Sequence, residues 1–237
     1  MDYIVLLIGS IPIVSLDKVY LSDSDAIYLD CTRLDGSNEL VSRYAPSKEN
    51  YVASQIENIS IKLNRINQNK IILVDDVVFS GGVLKRIIDL FKKYNIEVIG
   101  IIGIISSEYG YNYFNSILPK GLKCSYLMDD KVIDQICERD FYFGIAQSGI
   151  SVKINNEIFK APYFLPYGDP CNRASIPKEN EIEFSKGCIK RSIMLWEEIE
   201  RLSNSEIYMK DLKEIINYTN KNDRVVKILK KEFDKYE

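Results

Sequence analysis

Ile71-Ile72-Leu73-Val74-Asp75-Asp76-Val77-Val78-Phe79-Ser80-Gly81-Gly82 is the stretch on which the reading of the whole chain turns. The apolar run Ile71–Val74 predicts a strand buried on both faces, with two carboxylates at its carboxyl end. A Ser-Gly-Gly turn then opens a helix carrying Leu84, Ile87, Ile88 and Phe91 at helical spacing. That order sets acceptors for hydroxyls beside a nest of backbone N–H groups. Glycines let the backbone approach an anion, and the start of the helix adds its positive dipole end. A sugar phosphate meets both halves. A plain strand ending in an Asp turn that caps the next helix needs one acid rather than two.

Outward from this stretch, strand-like and helix-like periods alternate. Tyr3–Ile8, Ala26–Asp30, Glu97–Ser106 and Lys123–Met128 read as strands. Ser47 caps a helix with Val52, Ile56, Ile59, Leu63 and Ile66 on one stripe, and shorter helices are expected at Tyr111–Leu118 and Val132–Cys137. The alternation predicts an α/β fold, a mostly parallel twisted sheet with helices on both faces. Near residue 140 the pattern changes. Phe141–Phe143, Ser151–Ile154 and Glu157–Phe159 read as short strands, and Pro162 to Pro177 is turn-rich but too aromatic for a flexible linker. From about Ser185 the chain reads as helical, with Ile189, Ile193 and Trp196 on one helix, Met209, Leu212 and Ile216 on another, and Val226, Leu229 and Phe233 on a last. Residues 1–160 are expected to form the α/β domain, and 161–237 a Pro/aromatic loop with a mixed, helical C-terminal extension packed on it.

Bulk composition narrows the chemistry. The chain has 237 residues, 46% hydrophobic and 27% charged, with a formal net charge of -3, which argues against charge-driven nucleic-acid binding. It contains no histidine, so Ser-His-Asp hydrolysis and His metal sites are excluded, and acid–base work falls to carboxylates, Lys, Tyr, Cys or the substrate. The five cysteines, odd in number and without CxxC spacing, fit reduced thiols. The amino terminus lacks a basic n-region and no apolar run reaches bilayer length, so a cytoplasmic protein away from membranes is expected.

Asp75-Asp76-Val77-Val78-Phe79-Ser80-Gly81-Gly82 resembles the ribose-phosphate signature of class I phosphoribosyltransferases, with looser agreement in strand order from about Ala26 to Gly144. The resemblance implies an enzyme of that fold which binds phosphoribosyl pyrophosphate with Mg²⁺ and transfers phosphoribosyl to a nitrogen nucleophile, a nucleobase or related heterocycle. It assigns Asp75 and Asp76 to the ribose hydroxyls and to stabilising the oxocarbenium-like transition state. It assigns Ser80, Gly81, Gly82 and, at the helix start, Val83 to the 5-phosphate. Magnesium enters with the substrate, with no direct protein ligand unless Asp75 supplies one. Many members have Thr where this chain has Val83, and six-oxopurine members carry an Asp where Phe79 stands.

The pyrophosphate loop has no clear signature in the roughly seventy residues before the motif. Gly9-Ser10 and Cys31-Thr32-Arg33 are the two places for it; Arg33 is the preferred ligand, with Arg43 and Lys48 as flap cations. For the base, Tyr142 or Phe143 offers stacking and Gln147 or Ser148 a hydrogen bond. Solvated surface charge and core packing are the plain alternatives for these residues. The mixed charge of the C-terminal helices fits packing or a homodimer contact. Two other readings stand beside the enzyme: a non-catalytic module sensing phosphoribosyl pyrophosphate or a nucleotide, and a component of a stress-response or phage-defence operon.

Overall fold

The computed structural model describes residues 11–16, 26–34, 37, 39–43, 51–129, 137–146, 148–154, 157–174, 176–212 and 220–236. The expectations on Tyr3–Ile8, Gly9, Ser10, Ser47, Lys48, residues 132–136, Gln147 and Ile216 lie outside them. Two units divide the chain, Met1–Arg33 with Leu40–Ile133, and Leu34–Glu39 with Asp134–Glu237.

The first unit is built on strands β1 (Ile13–Ser15), β2 (Ile27–Tyr28), β5 (Lys70–Val78), β6 (Glu97–Ser107) and β7 (Leu122–Met128). They form one sheet in the order β2-β1-β5-β6-β7, and every pairing is parallel. From β1 the chain moves one way to β2 and the other way to β5. The crevice beyond their carboxyl ends is thus a topological switch point, the place where open α/β sheets bind ligands. A small antiparallel pair, β3 (Thr32–Arg33) and β4 (Leu40–Val41), follows β2.

Among the described residues, three helices lie in the connections: α1 (Tyr51–Arg65), α2 (Gly82–Lys93) and α3 (Glu108–Ile117). Their apolar stripes meet the sheet in one core. Ile56, Ile59 and Leu63 of α1, Leu84, Ile87 and Phe91 of α2, and Phe114 of α3 are buried with Ile71, Leu73, Ile101 and Leu122 of the strands. Each such side chain contributes about 1.5–3 kcal/mol by leaving water. Ile66 falls off the expected stripe, 59% exposed, because α1 ends at Arg65 and Asn67 turns left-handed at φ 54.

The second unit contains the antiparallel hairpin β8 (Ile150–Ile154) and β9 (Glu157–Ala161), a short helix α4 (Pro170–Ala174), and the helices α5 (Glu181–Ser203) and α6 (Val225–Phe233). Phe143, Phe164, Cys188, Ile189, Trp196, Met209, Leu229 and their neighbours form its core. Phe164 brings the turn-rich segment into that core, as its aromatic content predicts. Two short elements differ from expectation. Phe141–Phe143 is no strand: a 3-10 turn runs Glu138–Phe141, because the Asp140 carboxylate accepts from Cys137 N–H at 3.0 Å and Gly149 N–H at 2.7 Å. Met209–Asp211 is one 3-10 turn rather than a longer helix, closed by Tyr208 N–H donating to Asp211.

The architecture is α/β, a central parallel sheet with helices and a helical C-terminal part, as the alternating periods predict. Among the described residues no helix is long and apolar enough to cross a membrane.

Candidate functional site

The acidic pair lies inside the sheet rather than just beyond it. Eleven-residue β6 gives β5 a partner up to its end, with Asp75 opposite Gly103, Val77 opposite Ile105 and Val78 opposite Ser106. Asp76 N–H donates to Asp75 Oδ1 at 3.1 Å, and Val77 N–H to Asp76 Oδ1 at 2.8 Å. Burial first, and the neighbouring Asp76 charge second, push the Asp75 carboxyl up to about 8, while the Asp76 N–H and the Arg43 charge pull the other way. Near pH 7 the Asp75 carboxyl therefore tends to hold its proton in the folded chain.

Gly81, at φ 69, makes the left-handed turn that starts α2, and no side chain caps that start. The first-turn N–H groups of α2 thus have no side-chain acceptor, an arrangement in which helix starts can bind anions. Ser80 is exposed, while Val83 packs its side chain on the core.

The turn rests on α3. Ser107 Oγ caps α3 by accepting from Gly110 N–H at 3.0 Å, and donates to the Phe79 carbonyl at 3.0 Å. Ser106 Oγ donates to the Val78 carbonyl at 3.2 Å. A Cβ on Gly110 would stand 2.3 Å from the Phe79 oxygen, and one on Gly81 would stand 2.4 Å from the Phe114 ring. Sequence reasoning missed Ser107, Gly110 and Phe114. Ser107 before Glu108 carries a helix-cap signal, but nothing in sequence says that the cap also holds a turn 28 residues away.

On the other side, past β2, Asp30 gathers three segments. Its carboxylate accepts from Arg43 N–H at 2.8 Å and from the Ser42 hydroxyl. Its main chain is held by Gln55 of α1, whose amide accepts from Asp30 N–H and donates to Asp30 C=O, both at 2.9 Å. The Arg43 charge reaches both Asp75 and Cys31. Burial, then Asp75, pushes the Cys31 thiol up to about 12 even against Arg43, so it is inert as a nucleophile.

The structure thus sets Asp75 and Asp76 on the strand that leads into the Ser80–Gly82 turn, with the Arg43 charge felt at Asp75. Arg33 lies exposed on β3, and Ser10 and Gln147 are outside the described residues. Tyr142 and Phe143 belong to the second unit. Phe143 is corrected as a stacking residue: it is fully buried, its ring 4.9 Å from that of Tyr167, its N–H donating to Ser192 and its C=O accepting from Trp196. Tyr142, half-buried, points its hydroxyl at Glu138 at 3.4 Å.

Two groups of ligand-bearing side chains bear on metals. Asp75 and Asp76 offer hard carboxylate oxygens suited to magnesium arriving with a phosphorylated substrate. In the second unit Asp169, Cys171 and Glu181 place one ligand atom each within 4.8 Å of one another, but Lys178 Nζ, 2.6 Å from Glu181, already supplies the cation.

Residues 28–113 match the family model of the phosphoribosyl transferase domain, a span that runs from the end of β2 through most of α3 and contains Asp30, Arg43, Asp75 to Val83, Ser107 and Gly110. The match supports phosphoribosyl transfer in general and a place in nucleotide metabolism. No curated protein matches the chain.

Proposed function

With a phosphoribosyl transferase domain over residues 28–113 as the premise, we propose that this chain is a phosphoribosyltransferase which takes the magnesium complex of phosphoribosyl pyrophosphate and a nitrogen heterocycle. The observation that carries the reading is the acidic pair on β5 beside an uncapped helix start reached through left-handed Gly81. Asp75 and Asp76 receive the ribose hydroxyls, and the N–H groups from Gly81 to Val83 receive the 5-phosphate. As the bond from C1 of the ribose to pyrophosphate breaks, its electron pair leaves with pyrophosphate, and the nitrogen lone pair forms the new bond. The acidic pair lies where positive charge grows on the ribose. Magnesium carried by the substrate would supply charge to screen the leaving pyrophosphate, and Asp75 would be the residue to hold it.

Phe79 favours a second reading. Its ring takes no proton and its carbonyl is engaged by Ser107, so a base that must be deprotonated finds no acceptor at this position. A module that senses phosphoribosyl pyrophosphate or a nucleotide needs no such acceptor. Incubating the protein with labelled phosphoribosyl pyrophosphate, magnesium and a panel of nucleobases separates the two. Base-dependent pyrophosphate release supports the transferase. Tight binding by calorimetry with no release from any base supports the sensor and overturns transfer.

A further inference from the structure

Helix α5 turns one face to the core of the second unit and another to solvent. Ser185, Cys188, Ile189, Ser192, Trp196 and Glu200 form the buried side. Met194 lies on the far side of the helix from Ser185, Ser192 and Trp196, and is 61% exposed. Ile182 and Leu202, 58% and 70% exposed, stand on the same i±4 row, which reads Ile182-Lys186-Lys190-Met194-Glu198-Leu202. Exposed apolar residues scattered singly need no explanation, but three on one packing row of a single helix do.

The charges on this face reverse about Met194. Lys190 stands four residues before it and Glu198 four after, while Arg191 stands three before and Glu197 three after. All four are exposed. Turning the helix end for end about Met194 puts Lys190 in the place of Glu198 and Arg191 in the place of Glu197. The face is therefore the electrostatic complement of itself, which is what a contact about a two-fold axis requires. Among the described residues Lys190 has no ion-pair partner. Glu198 is held by Arg201 and Glu197 by Lys230, yet both side chains stay half-exposed, with lone pairs open to a second cation.

We propose that the outer face of α5 docks a second copy of this chain, the two helices crossing in opposite senses about a two-fold axis at Met194, with Lys190 against Glu198 of the partner subunit. Packing the i±4 row of each helix into the groove of the other sets the axes about 50° apart and lays the rows side by side in reverse. Met194 meets its own copy at the axis, where an unbranched thioether adapts to close contact. One crossed helix pair buries less than the roughly 1,200 Å² of a standard interface, so the dimer is weak. This contact does not depend on the ribose-phosphate site.

Sedimentation velocity of the full chain from roughly 5 to 500 µM, at low and high salt, tests it. A monomer–dimer equilibrium that weakens as salt rises is expected. Lys190→Glu and Glu198→Lys each set like charges at both symmetry-related contacts, and each should weaken association about tenfold or more. Lys190→Glu combined with Glu198→Lys should return it to within about threefold of the unaltered protein. Met194→Cys, oxidised, should give a covalent dimer whose disulfide joins position 194 of the two copies by peptide mapping. A chain that stays monomeric throughout the range overturns the proposal. So does a dimer that neither single charge reversal weakens, because it then lies on another face. Losses in the single variants that the double reversal fails to recover overturn the self-pairing as well.

Discussion

Ser107 donates its hydroxyl to the Phe79 carbonyl at 3.0 Å while the same oxygen accepts from Gly110 N–H, so one side chain both starts α3 and props the turn of the acidic motif. The contact needs a bare backbone at Gly110, where a Cβ would lie 2.3 Å from the Phe79 oxygen. Gly110→Ala should cost about 2 kcal/mol or more, because backbone rather than a flexible side chain must shift. Ser107→Ala should cost about 1 kcal/mol, the usual value of a lost cap. Denaturant unfolding measures both. Titration with ribose 5-phosphate should show the larger loss for Gly110→Ala, since there the turn is displaced rather than loosened.

Gly81 carries two constraints that can be separated. Its φ of 69 disfavours any side chain, and the Phe114 ring fills the space a Cβ would take. Gly81→Ala should destabilise the fold by roughly 1–2 kcal/mol from the backbone alone, with crowding added. Adding Phe114→Leu should return only the crowding part. Phosphate affinity should stay low in the double variant, because the N–H groups point at the anion only through the left-handed turn. Full recovery of binding in the double variant would argue that the conformation is not what presents them.

Asp75 gives the fold a definite pH signature. Its folded-state value, about 8, lies above its ordinary value of 3.8, so the folded chain holds a proton that the unfolded chain releases between them. That contribution is present in full below about pH 4 and is lost as pH rises through about 8. Asp75→Asn removes the cost of charging the site. Its melting temperature should exceed that of the unaltered protein by roughly 5 °C at pH 8, with the two curves converging near pH 4. The same variant should lose ribose 5-phosphate binding, so stability and ligand affinity move in opposite directions, as they do when strain is kept for function. A variant no more stable at pH 8 than at pH 4, relative to its parent, would contradict the raised value.

The legible part of the site was its local part. Ile71–Val74 followed by Asp75-Asp76 and Ser80-Gly81-Gly82 specifies strand, turn and helix start by periodicity and glycine alone, and these appear at β5 and α2. The end of β5 was not legible, because pairing to Val78 is decided by the length of β6 rather than by residues 75–78. Ile13–Ser15 has too few residues for any period and follows Pro12, yet its place between β2 and β5 makes it central. Phe141-Tyr142-Phe143 has strand-like composition, but Asp140 captures the Cys137 and Gly149 amides and curls it. Asp30 and Ser107 act across 13 and 28 residues through hydrogen bonds to backbone groups, which leave no mark on hydrophobic pattern.

The second unit should respond to acid in the reverse sense. Glu200, with its side chain 7% exposed, accepts from Arg224 Nε at 2.9 Å and from Ile207 N–H at 2.9 Å. The Arg224 hydrogen bonds hold its carboxyl below the ordinary range against the pull of burial. Its contribution to stability is therefore present above about pH 4.5 and is lost as pH falls through the lowered value. Removing a partner from a well-buried pair costs about 3–5 kcal/mol. Arg224 is 38% exposed, so solvent screening reduces the expected loss for Arg224→Met to about 2 kcal/mol at pH 7. That loss should shrink as the pH is lowered and Glu200 takes up a proton. Denaturant unfolding of Arg224→Met and its parent across pH 3 to 8 reads this directly, and a loss that stays constant down to pH 3 would show that Arg224 acts by packing rather than by charge.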